Sequence, residues 1–187
     1  MKILIIDNYD SFTYNLVHIV EQFVEEVHVI RNDNITDYCA DAYDKIIISP
    51  GPGLPQEANM LMDFIQNFKT KKSILGICLG HQALGVFFGL RLRNIKNTKH
   101  GEHSVLTEVD FEESLFRGLK NPVQIGHYHS WVIDHENAFN DWRITAKSDE
   151  LIMAMSHKKY DLKGVQFHPE SILTPDGKKI LHNWICD

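Results

Sequence analysis

The sequence has few cysteines and no long apolar run, and each shortage excludes a class of protein. Only three of its 187 residues are cysteines, namely Cys39, Cys78 and Cys186. An odd, widely separated set does not form a disulfide framework and is typical of a reducing compartment. The first apolar run, 3–6, ends at Asp7, which is too short for the core of a signal peptide, and no segment approaches the roughly 18 apolar residues of a membrane span. We therefore expect a soluble, cytoplasmic protein.

The chain also has fewer basic than acidic residues. The chain has 19 lysines and arginines against 25 acidic residues, a net charge of −6, and the basic residues are scattered. Because nucleic-acid binding needs a concentrated positive surface, we expect no nucleic-acid partner. With 43% hydrophobic and 24% charged residues, the composition is that of a globular chain. No repeat or linker divides it, so we expect one domain over residues 1–187.

The first half of the sequence alternates strand and helix patterns. Buried strands are predicted at 2–6, 27–30, 45–49 and 73–77. Apolar residues recur at helical spacing within 12–23, where Asp10 or Ser11 is a candidate N-cap, and again within 61–68 and 79–88. Strands that are apolar on both faces and alternate with helices predict an α/β fold, with a mostly parallel central sheet and helices on both faces.

The second half changes to short strands separated by turns. These strands are predicted at 104–109, 123–127, 143–147, 151–156 and 163–167. Their succession predicts a smaller antiparallel portion. A closing helix is expected after Pro175, with Ile180, Leu181 and Trp184 on its buried face.

A candidate nucleophile lies in the segment GICLG at 76–80, where a buried strand turns into a helix. Small flanking residues permit the tight turn of a nucleophile elbow, which presents the reactive side chain at the end of the strand. A thiol there feels the positive end of the helix dipole, and nearby backbone N–H groups can bind an oxyanion. An isolated cysteine is more often a small buried hydrophobe, but the flanking glycines favour Cys78 as a nucleophile. Cys39 and Cys186 lack such a setting and are expected to be structural.

A candidate base lies in the tripeptide His168-Pro169-Glu170. Pro169 favours an extended backbone before it, and in an extended chain residues i and i+2 point to the same side, so His168 and Glu170 can face one pocket. The carboxylate can then fix the imidazole tautomer while the other ring nitrogen accepts the thiol proton. Alone, the tripeptide would be interpreted as a loop turn with a solvated acid. Together with the cysteine elbow, a Cys-His-Glu arrangement is the better interpretation.

The segment SPGPG at 49–53 is a stiff loop between a predicted strand and a predicted helix. Its glycines keep the N–H donors that prolines lack, so the N–H of Gly51 can complete an oxyanion hole. Taken alone, a rigid turn without chemistry is an equal alternative. A phosphate loop is excluded, because the Gly-Lys-Ser/Thr of such loops is missing.

The eleven histidines raise the question of a metal site. His127 and His129 can share one face of a strand, but no carboxylate or cysteine stands beside them at an established zinc spacing, so we expect no metal. His100 and His103 are expected in loops. The segment Lys99-His100-Gly101 lies where a substrate can pass.

Four separated motifs together resemble the class I glutamine amidotransferases: SPGPG at 49–53, GICLGHQ at 76–82, HYHSW at 127–131 and GVQFHPES at 164–171. They occur in the order of that family and span most of the chain. The opening IDNYDSFTYN at 6–15 and the later PESILTPDG at 169–177 are similar to the small subunits of anthranilate synthase and aminodeoxychorismate synthase.

The resemblance implies hydrolysis of glutamine to glutamate and ammonia. Cys78 would form a γ-glutamyl thioester, and His168 and Glu170 would complete the catalytic triad. The backbone N–H groups of Gly51 and Leu79 would form the oxyanion hole.

The resemblance also implies a glutamine-binding set made of Gly53, Gln82, Ser130 and Trp131. Trp131 stands where many members carry Leu, and His127 stands where members commonly carry Arg. Both departures are expected to alter the glutamine pocket wall or the subunit interface, and they leave the triad unchanged. The loop 8–12 resembles the segment that faces the partner subunit.

A partner is implied as well: a larger chorismate-binding synthase subunit, not encoded in this chain, which would receive the ammonia for tryptophan or folate biosynthesis. No cofactor is implied in this chain, and any magnesium would belong to the partner. The two products are not separated by the sequence, and a subunit that serves both pathways is an alternative, although the segment at 128–131 and the carboxyl-terminal segment favour anthranilate synthase component II. Two alternatives stay open: a catalytically silent scaffold subunit, which the intact triad argues against, and a stand-alone cysteine hydrolase, which would need no partner.

Overall fold

The computed structural model describes residues 1–35, 40–136 and 138–187, apart from the side chains of residues 97 and 98. Cys39 therefore lies outside the described residues. The strands are β1 (Lys2–Asp7), β2 (Glu26–Arg31), β3 (Lys45–Ile48), β4 (Ser73–Ile77), β5 (Leu92–Val105), β6 (Glu108–Val109), β7 (Gln124–Ile133), β8 (Trp142–Ser148), β9 (Leu151–His157) and β10 (Leu162–Val165). The α-helices are α1 (Thr13–Val20), α2 (Leu61–Phe68), α3 (Leu79–Phe87) and α4 (Gly177–Ile185), with short 3-10 turns at Pro55–Glu57 and Ser114–Phe116.

Within the described residues, eight strands form one sheet in the order β2-β1-β3-β4-β10-β9-β8-β6. The five strands from β2 to β10 run parallel, whereas β9, β8 and β6 continue the sheet in antiparallel pairing. Strands β5 and β7 form a separate antiparallel pair. The predicted α/β fold, with a mostly parallel sheet and a smaller antiparallel portion, is confirmed.

The alternation of side chains along the central strands produces two apolar cores. Ile3 and Ile5 pack on one face with residues of α1 and α4. Leu4 and Ile6 pack on the other face with residues of α2 and α3. Because successive side chains of a strand point to opposite faces, a strand covered by helices on both sides is apolar throughout.

The closing helix α4 follows the prediction. Ile180, Leu181 and Trp184 are fully buried against the same core as α1. Cys186 lies just after this helix; it is exposed, with its Sγ 3.5 Å from Nε2 of His182, so it is not part of the core.

The first helix is shorter than predicted. It begins after Phe12 and ends at Val20, and neither Asp10 nor Ser11 is its N-cap. The Oδ1 atom of Asp10 instead accepts a hydrogen bond of 2.7 Å from the N–H of Phe12, which closes a turn just before the helix. Phe23 packs against the core from beyond the helix end.

The strand predicted at 104–109 was wrong in its bounds, because the structure divides it between β5 and β6. β5 begins at Leu92, so His100 and His103 lie in a strand rather than in loops. Most of the described side chains of β5 are partly or fully exposed, so the strand lacks the apolar run that marks a buried strand. The motif at 127–131 lies within its partner, β7.

The topology positions the functional motifs. In a parallel sheet the carboxyl ends of the strands share one edge, where ligands of open α/β sheets bind. The segments after β1, β3, β4 and β10 are the loop 8–12, SPGPG, Cys78 and His168, respectively. Among the described helices, none is long and apolar enough to cross a membrane.

Candidate active site

Cys78 occupies a sharp turn between β4 and α3. Its backbone has φ 51° and ψ −101°, a conformation that a side-chain-bearing residue adopts only when the surrounding structure enforces it. The enforcement comes from both sides: its N–H donates to the carbonyl of Val165 at 2.8 Å, and its carbonyl accepts from the N–H of Gln82 at 3.0 Å. The predicted nucleophile-elbow geometry is therefore present, and Cys78 as a whole is 6% exposed.

The two flanking glycines are required by close backbone approach. A Cβ on Gly76 would lie 2.4 Å from the carbonyl of Gly80, and a Cβ on Gly80 would lie 2.4 Å from the carbonyl oxygen of Ile48. Side chains at these positions would force the strand, the turn and the helix apart.

His168 and Glu170 lie together in the loop after β10, as predicted, but not in an extended chain: Pro169 and Glu170 form a turn in which the N–H of Ser171 donates to the carbonyl of His168 at 3.2 Å. The Nδ1 atom of His168 is 2.6 Å from Oε1 of Glu170, and both side chains are buried. The backbone of His168 is held as well, because its N–H donates to Gly126 at 3.1 Å and its carbonyl accepts from Oγ1 of Thr174 at 2.7 Å. The imidazole is therefore fixed in position and tautomer.

The charge on His168 depends on its two neighbours. Burial by itself lowers the pKa of His168, but Cys78 and Glu170 together raise that pKa well above its ordinary value. Its Nε2 atom is buried and has no hydrogen-bond partner among the described residues, while Cys78 lies close enough to act on the ring through its charge. These two neighbours therefore favour the imidazolium form of His168 over the neutral ring.

A cavity of about 340 Å³ connects the motifs. Cys78 and His168 line it together with Gly51, His100 and Tyr128, and its remaining wall comes from Tyr9, Asp10, Ser11, Phe12, Pro50 and Pro52. His100, in the segment predicted to lie on a substrate route, is one of these lining residues. The loop 8–12, predicted to face a partner, also lines the cavity through Tyr9, Asp10, Ser11 and Phe12.

Gly51 lies in close contact with Asn8 and Leu79. A Cβ on Gly51 would lie 2.5 Å from Cβ of Asn8 and 2.8 Å from Cδ2 of Leu79. Asn8 also holds this loop, because its Nδ2 donates to the carbonyl of Ser49 at 2.8 Å. The role of Asn8 was missed in the sequence, since a buried asparagine after a strand carries no pattern of its own.

The predicted glutamine-binding residues are not among those that line the cavity. Gln82 is buried, and its Nε2 donates to the carbonyl of Trp131 at 2.8 Å and to Oε1 of Gln166 at 3.1 Å. The structure therefore brings Gln82 and Trp131 together. Ser130 lies partly buried in β7, and Gly53 lies in its loop with φ 75°.

His127 and His129 share one face of β7, as predicted. Nδ1 of His127 lies 3.0 Å from Nε2 of His129, and Nε2 of His127 lies 2.6 Å from Oγ of Ser104. Burial lowers the pKa of His127 to about 4 and that of His129 to about 3, so both rings are neutral at physiological pH. In the described part of the chain, no three metal-ligating side chains group in a way that could hold an ion.

A family model described as glutamine amidotransferase class-I matches residues 4–187. The chain belongs to the class-I glutamine amidotransferase family. This amidotransferase is 42% identical to aminodeoxychorismate synthase component 2 of Escherichia coli K12, over 98% of each chain. It is also 44% identical to anthranilate synthase component 2 of Cyanophora paradoxa, over 98% of this chain and 97% of the relative.

A third relative of this amidotransferase carries both names. Aminodeoxychorismate/anthranilate synthase component 2 of Bacillus subtilis 168 is 42% identical over 98% of this chain and 95% of the relative. Among solved structures, a candidate GMP synthase subunit from Thermoplasma acidophilum superimposes with a TM-score of 0.87 at 25% identity, covering 100% of this chain and 92% of the other. The family resemblance inferred from the four motifs is confirmed.

Proposed function

We propose that this amidotransferase is a glutaminase subunit in which Cys78 is the nucleophile. The observation that carries the proposal is that Cys78 and His168 line one cavity, while Nδ1 of His168 is bonded to buried Glu170 and its Nε2 has no partner among the described residues. A base with one nitrogen fixed and the other directed to a thiol is the arrangement that nucleophilic catalysis needs.

In the proposed reaction, Sγ of Cys78 attacks the side-chain amide carbon of glutamine and forms a C–S bond. The thiol proton passes through His168 to the amide nitrogen, the C–N bond breaks, and ammonia leaves. Water then attacks the thioester, His168 accepts a proton from the water, and the C–S bond breaks as that proton returns to the sulfur. Glutamate is released, and Glu170 orients and stabilises the imidazolium in both steps.

We propose the N–H groups of Gly51 and Leu79 as the oxyanion hole. Leu79 is the first residue of α3, where a helix offers its N–H groups without internal acceptors and with the positive end of its dipole. Both residues lie near the nucleophile: Gly51 packs on the side chain of Leu79 and lines the same cavity as Cys78, and Leu79 follows Cys78 in the chain.

For glutamine itself we propose contacts from Gly53, Gln82, Ser130 and Trp131. Because both N–H groups of Gln82 are used within the protein, its amide oxygen is the group left for a substrate. The proposal includes no cofactor in this chain.

We further propose that the ammonia is delivered to a larger, chorismate-aminating synthase subunit in the cytoplasm. Support comes from relatives named as component 2 of anthranilate synthase and of aminodeoxychorismate synthase, each matched over nearly the whole chain. Either product fits, because relatives of both names are more than 40% identical.

Reconstitution with the synthase subunit from the same source tests this proposal. Ammonia release from glutamine is measured for the chain alone, with the synthase, and with the synthase plus chorismate, and the aromatic product is identified by chromatography. We expect low activity alone and a large increase in the full mixture. Equal turnover in all three conditions would instead support a stand-alone hydrolase. The absence of turnover in all three would support a silent scaffold.

A further inference from the structure

Two buried glutamines form a hydrogen-bonded chain that ends at the Cys78 sulfur. The Nε2 atom of Gln166 lies 3.5 Å from Sγ of Cys78, within the range of an N–H to sulfur hydrogen bond. Its Oε1 accepts from Nε2 of Gln82 at 3.1 Å, and Gln82 also donates to the carbonyl of Trp131 at 2.8 Å. Gln166 is fully buried, so water does not compete for these bonds.

The direction of every bond in this chain follows from the carbonyl of Trp131. A backbone carbonyl can only accept, so the NH₂ group of Gln82 must face it. The second N–H of Gln82 then requires an acceptor, which is the amide oxygen of Gln166. The NH₂ group of Gln166 is thereby turned toward Cys78, and a flipped amide would place two oxygens or two NH₂ groups against each other.

A hydrogen-bond donor held against a cysteine sulfur stabilises the thiolate more than the thiol. An N–H group bonds more strongly to a thiolate than to a thiol, because hydrogen bonds to ionised acceptors are the stronger class. The backbone of Gln166 is held independently of its side chain, since its N–H donates to the carbonyl of Met153 at 2.8 Å. Replacing the side chain therefore removes the donor without releasing the strand end.

We infer that Gln166 is a positioning residue for the Cys78 sulfur, which holds the thiolate through a hydrogen bond whose direction is set by Gln82 and the carbonyl of Trp131. This inference rests on the proposed function of Cys78 as nucleophile. It also assigns Gln82 a second role, because the residue proposed to contact glutamine orients the amide that contacts the nucleophile. The glutamine pocket and the thiolate are thus joined by one hydrogen-bonded chain.

The test is the pH dependence of Cys78 alkylation by iodoacetamide, followed by mass spectrometry of the Cys78 peptide in the full chain without glutamine. Gln166→Met keeps the size of the side chain and removes the donor. We expect the midpoint of the alkylation profile to rise by about one to two pH units, since a hydrogen bond to a charged group is worth about 1.5–3 kcal/mol and each pH unit corresponds to about 1.4 kcal/mol. Gln82→Met leaves the donor but frees its direction, so a smaller rise in the same sense is expected.

Gln22→Met is the matched control. Gln22 also donates to one group and accepts from another, namely the carbonyl of His18 and the Nζ of Lys178, but it is exposed on the surface. The midpoint of Cys78 alkylation in Gln22→Met should equal that of the unmodified chain. A double variant of Gln82 and Gln166 should shift no further than Gln166→Met alone, because the two side chains act through one bond.

An unchanged midpoint in Gln166→Met, with a native circular dichroism spectrum, would overturn the inference and leave Gln166 as core filling. If Gln166→Met does not fold, the midpoint of the alkylation profile of Gln82→Met is compared with that of the unmodified chain, and an unchanged midpoint would overturn the inference. The proposed function has a separate readout: glutamine hydrolysis by a Cys78→Ser variant would refute the nucleophile and leave the alkylation result on Gln166 intact.

Discussion

The Nδ1 atom of His168 lies 2.6 Å from the Oε1 atom of Glu170, and both residues are buried. A carboxylate buried this close to an imidazole does two things. It fixes which ring nitrogen carries the proton, and it stabilises the ring when it becomes charged. Cys78 interacts with the same ring, so loss of the carboxylate charge would also change the environment of the sulfur.

We therefore expect Glu170→Gln to slow glutamine hydrolysis on the order of 10²- to 10⁴-fold while keeping the shape of the loop. The amide removes the charge that helps to raise the pKa of His168, so the imidazolium is less stable in the variant. Steady-state kcat, measured with the synthase partner present, checks this expectation. A loss larger than that of the Cys78 variant would contradict the orienting role.

Cys78→Ser should lose glutamine hydrolysis by on the order of 10⁴-fold or more, because the hydroxyl is a far weaker nucleophile in a site built around a thiolate. The fold and the binding of the synthase should be unchanged, since Ser is similar in size and the turn is held by backbone bonds to Val165 and Gln82. Ammonia release and co-elution with the synthase are the two measurements. Retained activity would exclude Cys78 as the nucleophile.

Replacing Gly80 by alanine should destabilise the fold more than replacing Gly89 by alanine. A Cβ on Gly80 would lie 2.4 Å from the carbonyl oxygen of Ile48, so Gly80→Ala is expected to lower the free energy of unfolding by about 3 kcal/mol. Gly89 is the control, because a Cβ there meets nothing within 4 Å and only its φ of 84° is unfavourable, at a cost of about 1–2 kcal/mol. Urea titration measures the free energy of unfolding of both variants. Equal losses of this free energy would show that close packing at the elbow does not determine the need for glycine.

Much of this site was predictable because its signals are local. The glycines on either side of Cys78 and the i, i+2 spacing of His168 and Glu170 need only a few consecutive residues. The contact between Gln166 and Cys78 joins residues 88 apart in the chain and exists only because β10 pairs with β4, with Val165 beside Ile77. Strand register of this kind is a property of the assembled sheet, and no pattern within either motif specifies it.

The missed beginning of β5 has a different physical reason. Prediction of strands relies on apolar runs, which report burial, whereas Lys96 and Glu102 are exposed residues of a strand paired along one edge to β7. The register of this pair also shifts between Asn94 and Lys99, which interrupts any regular alternation. A polar, irregular strand is held by its backbone bonds, and these leave little trace in side-chain pattern.

Acid should destabilise the fold before most carboxylates titrate, because buried histidines are held neutral. Burial lowers the pKa of His81 and of His129 to about 3, whereas an unfolded histidine titrates near 6.5. Between these values the unfolded chain binds more protons than the folded chain, so the free energy of unfolding falls as the pH falls through this window. Each such histidine contributes a slope of about 1.4 kcal/mol per pH unit.

His168 opposes this effect near pH 7 but not below about pH 6. Its pKa is raised in the folded chain, so the stability that it adds is complete below the unfolded value and is lost only as the pH rises through the folded value. Urea titrations at pH 7, 6 and 5 should therefore show a decline that is steepest between pH 6 and pH 5. His129→Asn should show a shallower decline, because the replacement removes one of the neutral rings, and a lower stability at pH 7, because a buried side chain is lost. Stability that is constant from pH 7 to pH 5 would mean that these rings take up protons within the fold.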